Sequence, residues 1–382
     1  MDFDLTEEQR LLKDSVERFT AEQYGFEDRR RYQGEERGYS EEMWARYAEL
    51  GFLGLPFSEE YGGFGGGAVE TMIVMEAFGK ALVLEPYFAT VVLGGGILRH
   101  GASNAQKAKF IPAIAEGRMK IAFAYAEPQS RYDFFDVETN ARRDGDSWVL
   151  NGTKGLVLHG HAADIIIVSA RTAGGSRDRG GIGLFLVDGN APGLSRRGYP
   201  TQDGLRAAEI SLVNVHVDAT DVIGDPGSGP VIARVADEAV AALCAEAVGC
   251  FGEMHATTLD YLKTRKQFGT TIGSFQVLQH RSADMFVELE QSRSMAMYAA
   301  MMTTEPDVTK RERAISAAKA QIGCSAKAIG RESIQLHGGL GMTMEYRIGH
   351  YFKHVTMIDT LFGDADYHLR RLAVLDGLIR EE

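Results

Sequence analysis

The spacing of apolar residues changes near Lys120 and changes back after Pro230, and this double switch limits the folds open to the chain. Before Lys120 the apolar positions recur at helical intervals. Leu11, Leu12, Val16 and Phe19 follow the capping-box pattern Thr6-Glu7-Glu8-Gln9, with Leu5 placed to staple it. Ser40 opens another helix that Gly51 can close, and Ser103 opens a third running through Phe110 and Ile114 to Gly117. The middle stretch instead carries short β-rich runs at Ile121–Tyr125, Trp148–Leu150, Ile165–Ala170, Ile182–Val187 and Ile210–Val217. Turn signals such as Asp144-Gly145 and Asn151-Gly152 separate them. Helical periodicity then returns over Val231–Lys263, Val277–Met302 and Arg311–Leu336, with a final helix after Asp364. This order predicts a mainly α chain with a small β domain. Its parts are an N-terminal helical domain over 1–119, a middle β domain over 120–229 and a C-terminal helical bundle over 230–382.

The β segment is too short-stranded and turn-rich for a doubly wound sheet. The glycine-rich run Tyr61–Gly67 is no dinucleotide fingerprint, because no βαβ unit frames it. Ala173–Gly181, rich in glycine and charge, reads as a mobile loop. With 45% hydrophobic residues in 382, the chain can bury a large core. A net charge of −12 argues against a dedicated nucleic-acid binder, and Arg29–Arg31 reads as solvated surface. No apolar run approaches the roughly 20 residues that span a bilayer. The start, MDFDLTEEQR, is acidic and lacks a signal-peptide core. The three cysteines show no C-x-x-C spacing and the ten histidines no H-E-x-x-H arrangement. Cys244 and Cys250, set among alanines, read as buried thiols. A cytoplasmic, metal-free protein with no membrane span is the expectation.

Chemistry concentrates in two strings, TRKQFGTTIGSFQ at Thr264–Gln276 and QLHGG at Gln335–Gly339. The fork of Arg265 suits a phosphate, and the amides of Gln267, Gln276 and Gln335 can hydrogen-bond a nucleotide. Phe268 adds an aromatic face, and Gly338-Gly339 lets backbone approach a ligand closely. By composition alone, such Arg and Gln residues also fit a solvated helix face. At this separation the two strings resemble those of the FAD-dependent acyl-CoA dehydrogenase family, and the likeness covers essentially the whole chain. The resemblance implies a middle β-barrel domain and a C-terminal four-helix bundle. It also implies a flavin seated across a subunit boundary, with these two strings contacting its adenine and pyrophosphate side.

In that family an α proton is lost to a carboxylate base and a β hydride passes to the flavin. The first flavin segment corresponds to Phe123-Ala124-Tyr125-Ala126-Glu127-Pro128, where Ala126 replaces a hydroxyl residue. The second corresponds to Lys154–Gly160, where Leu156 and Leu158 replace an aromatic and a hydroxyl. At LFGDA the usual glutamate position falls on Phe362, and Asp364 replaces a hydroxyl residue. An alternative base position on the long helix falls on Ala239, beside Glu238, and Val240 stands where an arginine is often found. Asp364 is the candidate base on this chain, against the reading that it caps the helix after it. Glu246 reads as structural. Arg131 reads as a solvent-facing loop residue, with a second carboxylate of a dicarboxylyl chain as the alternative.

The nucleotide-side positions are therefore intact while the ring-side positions are altered. This split leads to an acyl-CoA dehydrogenase subunit that acts on an acyl-CoA beside a homologous subunit, similar to small subunits of the pimeloyl-CoA dehydrogenase type. An electron-transferring flavoprotein is the implied acceptor. The alternatives are a self-sufficient homomeric dehydrogenase using Asp364 or Glu238 as base, and a catalytically silent scaffold or acyl-CoA-binding homologue.

Overall fold

The computed structural model describes residues 4–224 and 227–380. Helices α1 (Glu7–Gln23), α2 (Phe26–Gln33), α3 (Glu41–Glu49), α4 (Ala68–Ala81), α5 (Gly95–Gly101) and α6 (Asn104–Ala115) come first. The predicted starts hold. Thr6 and Gln9 form a reciprocal capping box on α1, Ser40 caps α3, and Ser103 with Gln106 forms a second capping box on α6. A π-helical turn at Phe88–Gly94, which no sequence signal announced, leads into α5. The glycine run at 61–67 lies between α3 and α4.

Eight strands follow: β1 (Ile121–Ala124), β2 (Asn140–Asp144), β3 (Ser147–Leu158), β4 (Ile165–Arg171), β5 (Ile182–Asp188), β6 (Leu194–Pro200), β7 (Arg206–Asp218) and β8 (Val222–Ile223). They form one sheet in the order β6-β7-β3-β2-β4-β5-β8, with β1 parallel to β4. Alternate side chains of these strands, among them Leu150, Val168, Phe185, Ile210 and Val215, fill a common apolar core. The remaining elements are α7 (Gly229–Thr264), the short strands β9 (Lys266–Gln267) and β10 (Thr270–Thr271), α8 (Gln276–Met302), α9 (Val308–His337), α10 (Arg347–Thr360) and α11 (Ala365–Leu375).

By contact the chain forms two compact units. One comprises residues up to Arg30, Ala68–Val83 and the chain from Val240 on; the other comprises Arg31–Gly67 and Leu84–Ala239. Within the first unit, α4 and α7 touch backbone to backbone. A Cβ on Gly79 would lie 1.9 Å from the Glu246 carbonyl oxygen, and one on Gly249 would lie 1.9 Å from that of Glu76. Any side chain at either position would force the helices apart. Cys244 and Cys250 are buried there, as expected, and burial pushes the Cys244 thiol up to about 12.

Two expectations need correction. Arg29 is not solvated: it is 1% exposed, donates from Nε to the Leu82 carbonyl at 2.8 Å and meets His350. A buried guanidinium needs such acceptors, and the sequence gives no sign of them. The 173–181 loop is tied down rather than loose. Arg171 donates to the carbonyls of Ser176, Asp178 and Gly180, and also to that of Phe135, at 2.6–2.8 Å.

Candidate functional site

Thr264–Gln276 forms an exposed arm at the end of α7. β9 and β10 pair as a two-residue hairpin whose turn residues, Phe268 and Gly269, both have positive φ (56° and 82°). That is the backbone demand of a type I′ turn, which suits glycine and is unusual for phenylalanine. It leaves Phe268 91% exposed. Arg265, Gln267 and Gln276 are also exposed, as are Gln335, Gly338 and Gly339 at the end of α9. The structure brings the two strings together through His337, which stacks on Tyr261 with centroids 4.5 Å apart. His337 Nδ1 donates to the Ser333 carbonyl at 2.8 Å, which fixes the ring orientation under the turn. Gly338 adopts φ 59°, ψ −137°, a region closed to residues with a Cβ. A Cβ on Gly269, Gly338 or Gly339 would meet nothing within 4 Å, so this face stands open to an approaching ligand. A nucleotide and its phosphates fit a face with this chemistry.

The LFGDA turn, in the same unit, is built the opposite way. Phe362 is buried, at 4% exposure, with φ 60°. Lys319 of α9 lies beneath it, fully buried, and donates to three carbonyls: Ile358 at 2.8 Å, Asp359 at 2.7 Å and Gly363 at 2.8 Å. His368 Nε2 donates to the Phe362 carbonyl at 3.1 Å, and burial lowers that imidazole to about 3, so it stays neutral. Asp364 caps α11, accepting the Tyr367 amide at 2.8 Å, so the carboxylate serves the helix terminus. Glu246 is likewise structural, 2.9 Å from His354 Nε2.

In the other unit, Glu238 is held by two arginines and a histidine. Arg99 lies at 2.6 Å, His100 at 2.8 Å and Arg234 at 3.4 Å. Burial alone would raise its pKa, but the His100 hydrogen bond and the charges of Arg99 and Arg234 outweigh it and bring the carboxyl down to about 2. A carboxylate so stabilised is a poor proton acceptor. Neighbouring Ala239 is buried, and so is Val240.

The two ring-side segments do meet. Gly155 donates its amide to the Ala126 carbonyl at 2.9 Å, joining the end of β1 to β3. Phe123 and Tyr125 are buried with their rings 5.4 Å apart; Leu158 is buried and Leu156 half-buried at φ 46°. A Cβ on Gly155 would meet nothing within 4 Å, so backbone here can lie close to a planar group. Arg131 is exposed at φ 46°. Sequence reasoning overlooked Lys154, which is wholly buried and lies 2.7 Å from Glu127. It also overlooked Lys319. A lysine inside an apolar strand or helix pattern was the available signal. Among the described residues no cluster of His, Cys, Asp or Glu could hold a metal ion, and no helix is long and apolar enough to cross a membrane.

Three family models match in chain order. They are the acyl-CoA dehydrogenase N-terminal domain at 6–118, the middle domain at 122–217 and the C-terminal domain at 229–374. The probable acyl-CoA dehydrogenase YngJ of Bacillus subtilis is 30% identical over 386 residues, covering 100% of both chains. Among solved structures, the FAD complex of PigA superposes with a TM-score of 0.91 at 27% identity, covering 99% of this chain and 100% of that one. A variant of the Tcur3481-Tcur3483 steroid ACAD superposes with a TM-score of 0.87 at 28% identity, covering 97% and 98%. With all three domains matched over nearly its full length, the chain belongs to the acyl-CoA dehydrogenase family of oxidoreductases.

Proposed function

We propose that this chain is one subunit of an FAD-dependent acyl-CoA dehydrogenase, which desaturates an acyl-CoA thioester between its α and β carbons. It works beside a homologous subunit and carries an altered site of its own. The observation that carries this reading is the fate of the carboxylates. Phe362 fills the expected base position, Asp364 caps α11, and Glu238 is engaged by Arg99, His100 and Arg234. The α proton is therefore removed by a group on the partner subunit. When bound, FAD supplies the acceptor for the β hydride.

Arg265, Gln267, Phe268, Gln276, Gln335, Gly338 and Gly339 hold the nucleotide end of a flavin seated mainly on the partner. Their exposure supports this role, since an arm ending in an almost fully exposed phenylalanine needs a covering surface. Phe123, Tyr125, Ala126, Leu156 and Leu158 line the ring side of this chain's own site. The domains divide at 119/120 and 229/230. The substrate is an acyl-CoA thioester, with a dicarboxylyl chain of the pimeloyl kind as the finer reading, and an electron-transferring flavoprotein accepts the electrons. The experiment is flavin absorbance and acyl-CoA turnover, measured for the chain expressed alone and co-expressed with a homologous dehydrogenase subunit. Turnover that requires co-expression supports the proposal. Stoichiometric FAD with turnover by the chain alone would contradict it.

A further inference from the structure

The ring-side segments have lost their hydroxyls, yet a buried charge pair joins them: Glu127 follows Ala126, and Lys154 precedes Gly155. Lys154 Nζ bonds to Glu127 Oε1 at 2.7 Å, Ser169 Oγ at 3.0 Å and the Tyr125 carbonyl at 3.3 Å. Glu127 in turn accepts the Thr139 amide at 3.0 Å, the Glu138 amide at 2.8 Å and Gln129 Nε2 at 2.8 Å. Every one of these bonds is directional. Together they tie the end of β1, the start of the following loop, its return at 138–139 and β4 to a single ammonium group.

Lys154 also opens an irregularity in β3. The pairing with β7 shifts between Lys154, opposite Ile210, and Val157, opposite Ala208. Gly155 and Leu156 thus bulge from the ladder, Leu156 at φ 46° and Gly155 bonded to Ala126. Bulges of this kind re-aim backbone next to binding sites. A buried ion pair is a weak source of net stability, because desolvation consumes much of its attraction and apolar residues of similar size would serve as well. Its distinctive product is fixed geometry, delivered at the junction of the two segments.

The geometry points to Lys154 and Glu127 as positioning residues that keep this chain's own flavin cradle in binding shape, so that the ring is received by backbone rather than by the missing hydroxyls. This rests on the reading that the cofactor is FAD. It adds that the altered site of this chain still holds a flavin, separate from the one its arm completes on the partner.

The test measures FAD dissociation from the assembled full-length complex, by flavin absorbance after dilution and by visible circular dichroism. The variants are Lys154→Met, Glu127→Gln, the double variant and Arg265→Ala. In the wild-type complex two flavin pools are expected. Lys154→Met should release one pool at least tenfold faster and change its dichroism, the double variant should recover part of the loss, and Arg265→Ala should act on the other pool. If Lys154→Met does not accumulate as folded protein, Glu127→Gln carries the same test, because it leaves Lys154 bonded to Tyr125 and Ser169. The inference is overturned if both single variants lower the melting temperature of flavin-free protein but leave FAD release within twofold of wild type. It is also overturned by a single pool that responds only to Arg265→Ala, a result that leaves the proposed function standing. A wild-type complex with no flavin at all would overturn that function and this inference together.

Discussion

Arg265–Phe268 and Leu361–Asp364 belong to the same compact unit and, by resemblance, to the same kind of cofactor site, but they are built on opposite terms. The first, with all four side chains exposed, leads into a hairpin after the helix whose Tyr261 stacks on His337, next to the open Gly338 and Gly339. The second is enclosed, with its carbonyls claimed by Lys319 and His368 and its one carboxylate claimed by a helix terminus. An exposed arm of this chemistry is what the proposed partner flavin would cover. An enclosed turn with an apolar ring at its apex is built to stay as it is. The contrast is the ground of the proposal: the motif residues of the arm are exposed, while Asp364 and Glu238 are both engaged in structural contacts.

Each half of that contrast can be broken. The largest effect is expected at Lys319, where Lys319→Met strands three buried carbonyls and should cost about 3–5 kcal/mol in denaturant unfolding. A loss below about 1 kcal/mol would mean that the turn is not clamped as described. Next comes Glu238. Its pKa is depressed from an ordinary 4.5 to about 2, so its ion pairs contribute fully above about pH 4.5 and fade as pH falls toward 2. Glu238→Gln should remove roughly 3 kcal/mol at neutral pH and flatten the acid limb of the stability curve over that window. Turnover by the complex should stay within about twofold.

Arg265→Ala follows. It should weaken FAD retention about tenfold or more, the scale of a charge-assisted phosphate contact. Unfolding of the flavin-free protein should move by less than about 0.5 kcal/mol, because the side chain is exposed. The smallest effect is expected at Asp364. Asparagine also caps helices well, so Asp364→Asn should change stability by well under 1 kcal/mol, about the range of cap exchange, and leave turnover near wild type. A collapse in turnover with flavin still bound would place the base on this chain.

Much of the frame was legible in the sequence because its signals are local. The Thr6–Gln9 and Ser103–Gln106 boxes lie within one helical turn, and the switch at Lys120 is a change of period. β2 and β6 escaped notice because their side chains are mostly exposed and polar, so neither shows an apolar run. The hairpin at Phe268 was hidden because phenylalanine at positive φ violates the usual turn chemistry. The motif strings stand out in the sequence, but the contacts that hold the neighbouring backbone do not. Lys154 finds Glu127 across 27 positions, and Lys319 finds backbone carbonyls about 40 positions away. Carbonyls are common to every residue, so no sequence pattern marks which of them a buried lysine will meet. Arg29 shows the same limit: read as surface, it is buried against Leu82 and His350.

The central claim is that this chain removes no α proton by itself. It is tested most directly by incubating the FAD-reconstituted chain with butyryl-CoA and with pimeloyl-CoA in D₂O, then measuring deuterium at the α carbon by mass spectrometry. The chain alone should leave both thioesters unlabelled, and labelling should appear once a homologous subunit is co-assembled. Labelling by the chain alone, abolished by Asp364→Asn or Glu238→Gln, would contradict the account.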